Sequence, residues 1–398
     1  MARILIVGGS LGGLFAANIL HRAGHEVLVL EKSVDTLDGR GAGIVTHAPL
    51  VAALLRSGAV VDEHFGVAVT SRVALDANGH CVARLALPQV LTSWSRLYNM
   101  LREVLPESCH QSSVIVTHVH EDADGVAAYC QDGRVFSAAL LVASDGLRSV
   151  IRAQFAPDAV ARYAGYVGWR GVCEENVLSQ FTRDSIFDCF GFGMPAKEQL
   201  IGYPVAGAHN STRPGQRRFN FVWYRPAHDV ATLQALMSDA DGRHYPQGVP
   251  PNRVDWRQVA AMRSAARTLL APQFAEIIEK TAQPFLQPIF DVASEQIAFG
   301  RVVLMGDAAF VARPHVGMGV TKAAQDAMAL AEMIEQHGAT AEAAMAYQAM
   351  RLPAGTAVVA RGRKLGAYLE CSGEEGVPRD EMLVLRETAI DPHSLLVS

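Results

Sequence analysis

Arg3-Ile4-Leu5-Ile6-Val7-Gly8-Gly9-Ser10-Leu11-Gly12-Gly13 decides the fold. Arg3 to Val7 is an apolar run of strand length. Leu11 to Ala23 then carries Leu14, Phe15 and Ile19 on one helical face, with Gly24 as its stop. Glu26 to Leu30 is a second buried strand, so the segment reads as one βαβ unit of a parallel sheet covered on both faces. Gly8 permits the tight turn, a small residue at Ser10 lets a pyrophosphate approach the backbone, and Gly13 lets helix and strand pack closely. The helix N-terminus faces the phosphates. Ser10 stands where this fingerprint usually has its middle glycine. Glu31, roughly 20 residues further on, ends the second strand, where a carboxylate accepts hydrogen bonds from ribose hydroxyls. It would repel a 2′-phosphate, so the expected nucleotide is an unphosphorylated adenosine. The binding set at this turn is Gly8, Ser10, Leu11, Gly13, Glu31 and Lys32.

Two later turns have the same character. The apolar strand Ala139 to Ala143 ends in Asp145-Gly146-Leu147-Arg148-Ser149-Val150-Ile151-Arg152, which places two cations near a strand end where phosphates can lie. The strand Arg301 to Met305 ends in Gly306-Asp307, followed by Pro314-His315-Val316-Gly317-Met318-Gly319-Val320-Thr321. A long Ala-rich helix runs from about Gly319 to His337, with Gly338 as its stop. Its free N–H groups and positive dipole end suit an anionic group. Three turns from the start, middle and late part of the chain should converge at the carboxyl ends of one sheet, so the domain they build is discontinuous.

Residues 160 to 290 differ. Ile201, Tyr203 and Val205 share one strand face; Phe219, Phe221 and Trp223 share another, with Asn220, Val222 and Tyr224 opposite. The pattern predicts an antiparallel sheet with one face toward a ligand cavity. The expected class is therefore α/β, a Rossmann-like domain with an inserted, mainly antiparallel β-sheet domain and a C-terminal helical segment. The expected boundaries are 1–70, 95–165 and 285–345 for the nucleotide domain, 71–94 and 166–284 for the sheet domain, and 346–398 for the C-terminal segment. That segment should be interrupted at Pro353.

Composition narrows the class. The 398 residues are half hydrophobic and 19% charged, as in a compact enzyme, and a net charge of -5 spread along the chain argues against nucleic acid as a partner. The six cysteines lie at 81, 109, 130, 173, 189 and 371 without CxxC or zinc-ligand spacing, so free thiols and no metal are expected. The glycines at 8, 9, 12 and 13 interrupt the apolar N-terminus, which does not read as a signal peptide, and no apolar stretch is long enough to cross a bilayer. A cytoplasmic location and no membrane partner are expected.

The three motifs, in this order and spacing, resemble the family of FAD-dependent aromatic hydroxylases that includes p-hydroxybenzoate hydroxylase. The resemblance covers roughly 1 to 70, 95 to 165 and 285 to 350. Tyr163-Ala-Gly-Tyr-Val-Gly-Trp-Arg-Gly-Val172, Phe219-Asn-Phe-Val-Trp-Tyr224 and Arg313-Pro-His315 are similar to the 2,6-dihydroxypyridine 3-hydroxylase branch. The resemblance implies bound FAD, NADH or NADPH as transient co-substrate, O₂, a homodimer, and hydroxylation of a small electron-rich aromatic or N-heteroaromatic ring. It places the ADP part of FAD on Gly8, Ser10, Gly13 and Glu31. Asp145 and Arg148 serve FAD and the passing nicotinamide, Asp307 the ribityl and pyrophosphate region, and Gly317 and Gly319 the flavin edge. Two departures stand out. Met318 and Thr321 replace the Gln and Asn of the usual flavin-helix pattern, and Trp94 holds the place of an arginine, with Arg96 two residues later.

No second glycine fingerprint with strand–helix context appears, so no separate nicotinamide domain is expected. The chemistry needs water excluded and the substrate hydroxyl ionised. His315, just before the flavin helix, is the first candidate for the proton-accepting role, and His47 the second; each also reads as a structural histidine. Tyr203, Asn220, Trp223 and Tyr224 are candidate substrate-binding groups, with Arg170 as a candidate anion site or surface ion pair. Other flavoenzymes of this fold, a halogenase or a lipid reductase, remain open, although the W-x-W-x-I-P segment of halogenases is absent. A non-catalytic flavin-binding redox sensor is the remaining alternative.

Overall fold

The structure is a computed structural model that describes residues 1–34, 43–122, 125–246, 248–369 and 380–390. Its first sheet has six strands, in the order Ala298–Phe299, Val302–Leu304, Leu140–Ala143, Arg3–Val7, Glu26–Leu30, His110–Gln111. All pairings are parallel except that of Ala298–Phe299, at one edge. The central strands are apolar at nearly every position because both faces are covered: Ile4, Leu5, Ile6, Leu140, Leu141 and Val303 have no exposed surface. Helices Leu11–Arg22 and Gly319–His337 pack together and into this core. A three-stranded antiparallel sheet, Val116–Glu121, Val126–Cys130 and Val135–Ala138, joins the same core and had no counterpart in the sequence reading. The three glycine-bearing turns leave adjacent strands at their carboxyl ends, as the discontinuous domain requires.

The second sheet has nine strands. It takes in the expected regions and also Gly43–Val45, Phe285–Ala293 and Phe310–Val311, which the sequence boundaries gave to the nucleotide domain. Phe285–Ala293 belongs here because it pairs antiparallel with Arg162–Glu174, burying Leu286, Ile289 and Val292. One face of the sheet carries Trp169, Phe219, Phe221 and Trp223 against helices Trp256–Leu269 and Pro272–Lys280. The other face carries Tyr166, Tyr203, Val222 and Tyr224.

Helix Ala341–Gly366 runs unbroken through Pro353, contrary to the expected interruption. Proline removes a single donor here, that for the Ala349 carbonyl, while glycines hold the rest of the helix against the sheet domain. A Cβ at Gly355 would lie 2.3 Å from the Phe310 ring, and one at Gly362 3.0 Å from the Arg313 backbone N. The short helix Glu381–Glu387 then returns to the nine-stranded sheet. Five of the cysteines are free thiols, and Cys371 lies outside the described residues. Among the described residues no cluster could hold a metal ion, and no helix is long and apolar enough to cross a membrane.

Candidate active site

Two cavities lie along the seam between the sheets. The first, about 510 Å³, opens on Gly8, Ser10, Glu31, Lys32, Asp145 and Arg148. Its shape follows from glycine. Gly8 has φ 106°, and a side chain there would strike the Ser144 carbonyl at 2.3 Å; a Cβ at Gly13 would lie 1.9 Å from the Gly8 oxygen. Ser10 caps the helix without using its hydroxyl, and so leaves that group to the cavity. Glu31 is buried, and its oxygens accept the N–H groups of Gly9 and Ser33 at 2.7 Å each. These bonds fix the carboxylate at the cavity wall, with lone pairs left for ribose hydroxyls. Leu11 differs from the expectation: its side chain is buried in the core, so only its backbone faces the turn.

The Asp145 carboxyl accepts the Val150 N–H at 2.9 Å, while its other oxygen is buried without a protein partner. Burial pushes its pKa up. Arg148 is exposed at the cavity edge, whereas Arg152 turns inward and donates to the carbonyls of Leu147, Ala159 and Ala308. The second cation of that motif therefore ties two turns together instead of meeting phosphate. Trp94 lines the cavity, stacked on Tyr98 at 5.0 Å, and Arg96 points to Asp62 at 3.5 Å.

The second cavity, about 230 Å³, is lined by Arg170, Tyr203, Asn220 and Tyr224 on the sheet side and by Asp307 and Gly317 to Val320 on the helix side. Gly319 opens the long helix, and a Cβ there would meet nothing, so its N-terminus is accessible from the cavity. Gly317 has φ 60°. The Asp307 side chain lines this cavity and is 55% exposed. The protein around it raises its pKa, and the Lys322 charge opposes the rise. Lys322 has no exposed surface, and its Nζ lies 4.0 Å from Asp307 and 3.9 Å from Asp326. Asp326 in turn accepts from Arg351 at 2.6 Å and from the Gly306 N–H at 3.0 Å. The strand-ending Gly306-Asp307 pair thus lies at the exposed end of a row of alternating charges, Lys322, Asp326 and Arg351, that is otherwise buried.

On the sheet side, Asn220 is oriented by the Gly43 N–H, which donates to its Oδ1 at 2.9 Å. Burial pushes the Tyr224 hydroxyl up to about 12 and also raises Tyr203, with Arg170 opposing both shifts. Both tyrosines therefore stay protonated and able to donate. The Arg170 Nε is buried without a hydrogen-bond partner, and among the described residues Arg170 forms no ion pair. Trp223 does not line the cavity. Strand alternation turns it to the opposite face, where it is fully buried with Arg225 4.6 Å above its ring.

Neither histidine lines this cavity. His315 is buried, with Nε2 2.9 Å from the Tyr166 hydroxyl and its ring 4.3 Å from that of Tyr224. His47 Nδ1 lies 2.9 Å from the Thr321 hydroxyl and Nε2 3.3 Å from the Ala389 carbonyl. Both touch cavity-lining residues and neither touches the cavity. Thr388 and Ala389 also line it, although the sequence reading placed no site residue beyond Gly319.

A family model described as FAD binding domain-like matches residues 163–291. The 2,6-dihydroxypyridine 3-monooxygenase of Paenarthrobacter nicotinovorans is 32% identical over 380 residues, covering 94% of each chain. The chain belongs to the family of FAD-dependent aromatic hydroxylases. The solved 2,6-dihydroxypyridine-3-hydroxylase from Arthrobacter nicotinovorans superposes with a TM-score of 0.87 at 30% identity, covering 95% of both chains. Klebsiella pneumoniae HpxO, solved with FAD and uric acid, shares the fold, with a TM-score of 0.74 at 23% identity over 91% of this chain and 87% of its own. Within this hydroxylase, Lys322, which lines neither cavity but stands beside Asp307, is a further residue that motif spacing passed over. A lysine four residues before an aspartate in an apolar, Ala-rich helix is the signal that marks it.

Proposed function

We propose that the chain is a monooxygenase that hydroxylates a small aromatic ring bearing an ionisable hydroxyl, such as a hydroxypyridine, with FAD, NADH or NADPH, and O₂. The observation that carries this is Arg170, a cation without an ion pair among the described residues, set beside two protonated tyrosines in a cavity that ends at a helix N-terminus. The residues present fit FAD. Glycine-shaped backbone and Glu31 suit the adenosine and pyrophosphate, the unpartnered Asp145 oxygen and Arg148 border the same cavity, and Asp307 suits a ribityl hydroxyl. Bound there, FAD supplies the redox chemistry that transfers one oxygen from O₂ to the ring.

The chain's own groups do the rest. Arg170 stabilises the ionised substrate hydroxyl and so lowers the pKa of that group, which makes the ring carbon beside it the better nucleophile. Tyr203 and Tyr224 donate hydrogen bonds to ring substituents, and Asn220, fixed by Gly43, sets the ring's register. His315 bears on the substrate through its neighbours, Tyr224 among them, and His47 through Thr321 and Ala389. The N-terminus of helix Gly319–His337 supports negative charge at the flavin edge. The enzyme is proposed to work in the cytoplasm as a homodimer, on the strength of the branch it resembles.

The test is NADH oxidation by FAD-reconstituted protein against hydroxylated pyridines, pyrimidines and phenols, with H₂O₂ counted and product mass measured. One ring should speed oxidation and gain one oxygen. Stimulation by no ring, or a product that gains halogen or hydrogen, would remove this reading.

A further inference from the structure

Residues 381–390 end at the substrate cavity, and four distant parts of the chain grip them. Arg72, with no exposed surface, donates through Nη1 to the Leu385 carbonyl at 2.8 Å and to the Thr388 carbonyl, and through Nη2 to the Ala389 carbonyl at 3.1 Å. Its Nε donates to Gln89 Oε1 at 2.9 Å, and its guanidinium lies 4.9 Å above the Phe190 ring, itself part of the cavity wall. Burial pulls the Arg72 pKa down to about 9, which leaves it charged at neutral pH. Ala389 donates to the His315 carbonyl at 2.9 Å, and its own carbonyl meets His47 Nε2 at 3.3 Å. Arg361 donates to the Glu387 carbonyl at 2.7 Å. A Cβ on Gly317 would lie 2.4 Å from that of Ala389, and Ala389 has φ 52°, so the segment is pressed against the flavin-helix turn in a left-handed conformation.

We propose that residues 388 and 389 are the wall that closes the reacting end of the cavity against water, and that Arg72 is the positioning residue that holds this wall in place. A helix end presents carbonyls without intrahelical donors, and one buried guanidinium satisfies several of them at once. Among the described residues no other side chain of the nine-stranded sheet hydrogen-bonds this segment, so loss of Arg72 loosens the wall while leaving the glycine turns of the nucleotide domain intact. The catalytic consequence rests on the hydroxylase reading above. Water reaching the reacting centre diverts reducing equivalents to H₂O₂.

The test uses full-length, FAD-reconstituted protein carrying Arg72→Met or the milder Arg72→Lys, with Arg217→Met as a control. Arg217 is also buried, pairs with Glu175 at 2.8 Å and lies 5.0 Å from the Phe187 ring, but none of these three lines the cavity. Hydrogen exchange at residues 383–389 should quicken by about tenfold or more in the Arg72 variants and stay unchanged in the control. With 2,6-dihydroxypyridine as probe, the share of consumed NADH recovered as H₂O₂ should rise about threefold or more in the Arg72 variants alone. If Arg72→Met does not fold, Arg72→Lys carries both measurements. Unchanged exchange at 383–389 in a folded Arg72 variant would overturn the proposal, as would an equal rise in peroxide in the control. Faster exchange in a protein that hydroxylates no ring would keep the wall and remove the hydroxylase reading instead.

Discussion

The two cavities are built in opposite ways. The glycine-bearing walls of the first cavity are turns that continue strands of the parallel sheet, Gly8 after Val7, Glu31 after Leu30 and Ser144-Asp145 after Ala143, with Trp94 and Val114 to Val116 closing the rest. The ring end is assembled from separate segments at Gly43, Arg170, Tyr203, Asn220, Asp307 and Ala389. The first depends on backbone that only glycine can shape. The second depends on charges and hydroxyls carried to one place by the nine-stranded sheet. Substitution should therefore act on folding and nucleotide affinity at the first, and on substrate handling at the second.

That contrast can be broken most sharply at Lys322, a buried neighbour of the cavity-lining Asp307 whose removal should cost folding. Lys322→Met leaves Asp307 and Asp326 short of a buried cation, and should lower stability by about 3–5 kcal/mol in denaturant unfolding. A loss near zero would mean that Arg351 and Arg152 already neutralise the row. At the adenosine end, Gly13→Ala forces a Cβ to within 1.9 Å of the Gly8 oxygen. It should cost about 3 kcal/mol and abolish FAD-induced stabilisation in thermal melts. Retained FAD binding would show that the turn can relax.

Arg170→Gln should leave folding and FAD affinity nearly untouched. It should raise the KM for an anionic ring by roughly thirtyfold, about 2 kcal/mol, as expected for a lost hydrogen bond to a charged group. An equal effect on a neutral ring would remove the charge argument. The smallest effect concerns Asp307. Its folded pKa lies above the ordinary value of 3.8 because the protein packed around the recess strips water from the carboxylate, an effect moderated by its open side. A raised carboxylate is neutral in both states at low pH and costs stability as pH rises past the ordinary value. Asp307→Asn should thus match the parent's melting temperature at low pH, gain on it toward neutral pH, and bind FAD more weakly. A gain confined to low pH would contradict the sign.

The same contrast explains what the sequence revealed. Turns built from contiguous residues, such as Gly8 to Gly13, are legible from spacing, and so is the Tyr203, Asn220 and Tyr224 face from alternation. Trp223 shows the limit of residue type as a guide: alternation turns it to the opposite face, whatever its aromatic character suggests. His315 and His47 have the right chemistry for the proton-accepting role, but their burial beside Tyr224 and Thr321 depends on packing that no local pattern encodes. Arg72 and Ala389 meet only through the tertiary fold, and no periodicity links them. Pro353 reads as a helix breaker, yet the neighbouring glycines and the surface they pack on carry the helix unbroken through it.

The most direct test of the hydroxylase account is mass analysis of product made by FAD-reconstituted protein from NADH, isotopically heavy O₂ and a dihydroxypyridine. The account predicts one heavy oxygen in the ring product, with little peroxide. NADH consumed without a heavy oxygen in any ring product, across hydroxylated pyridines, pyrimidines and phenols, would contradict it.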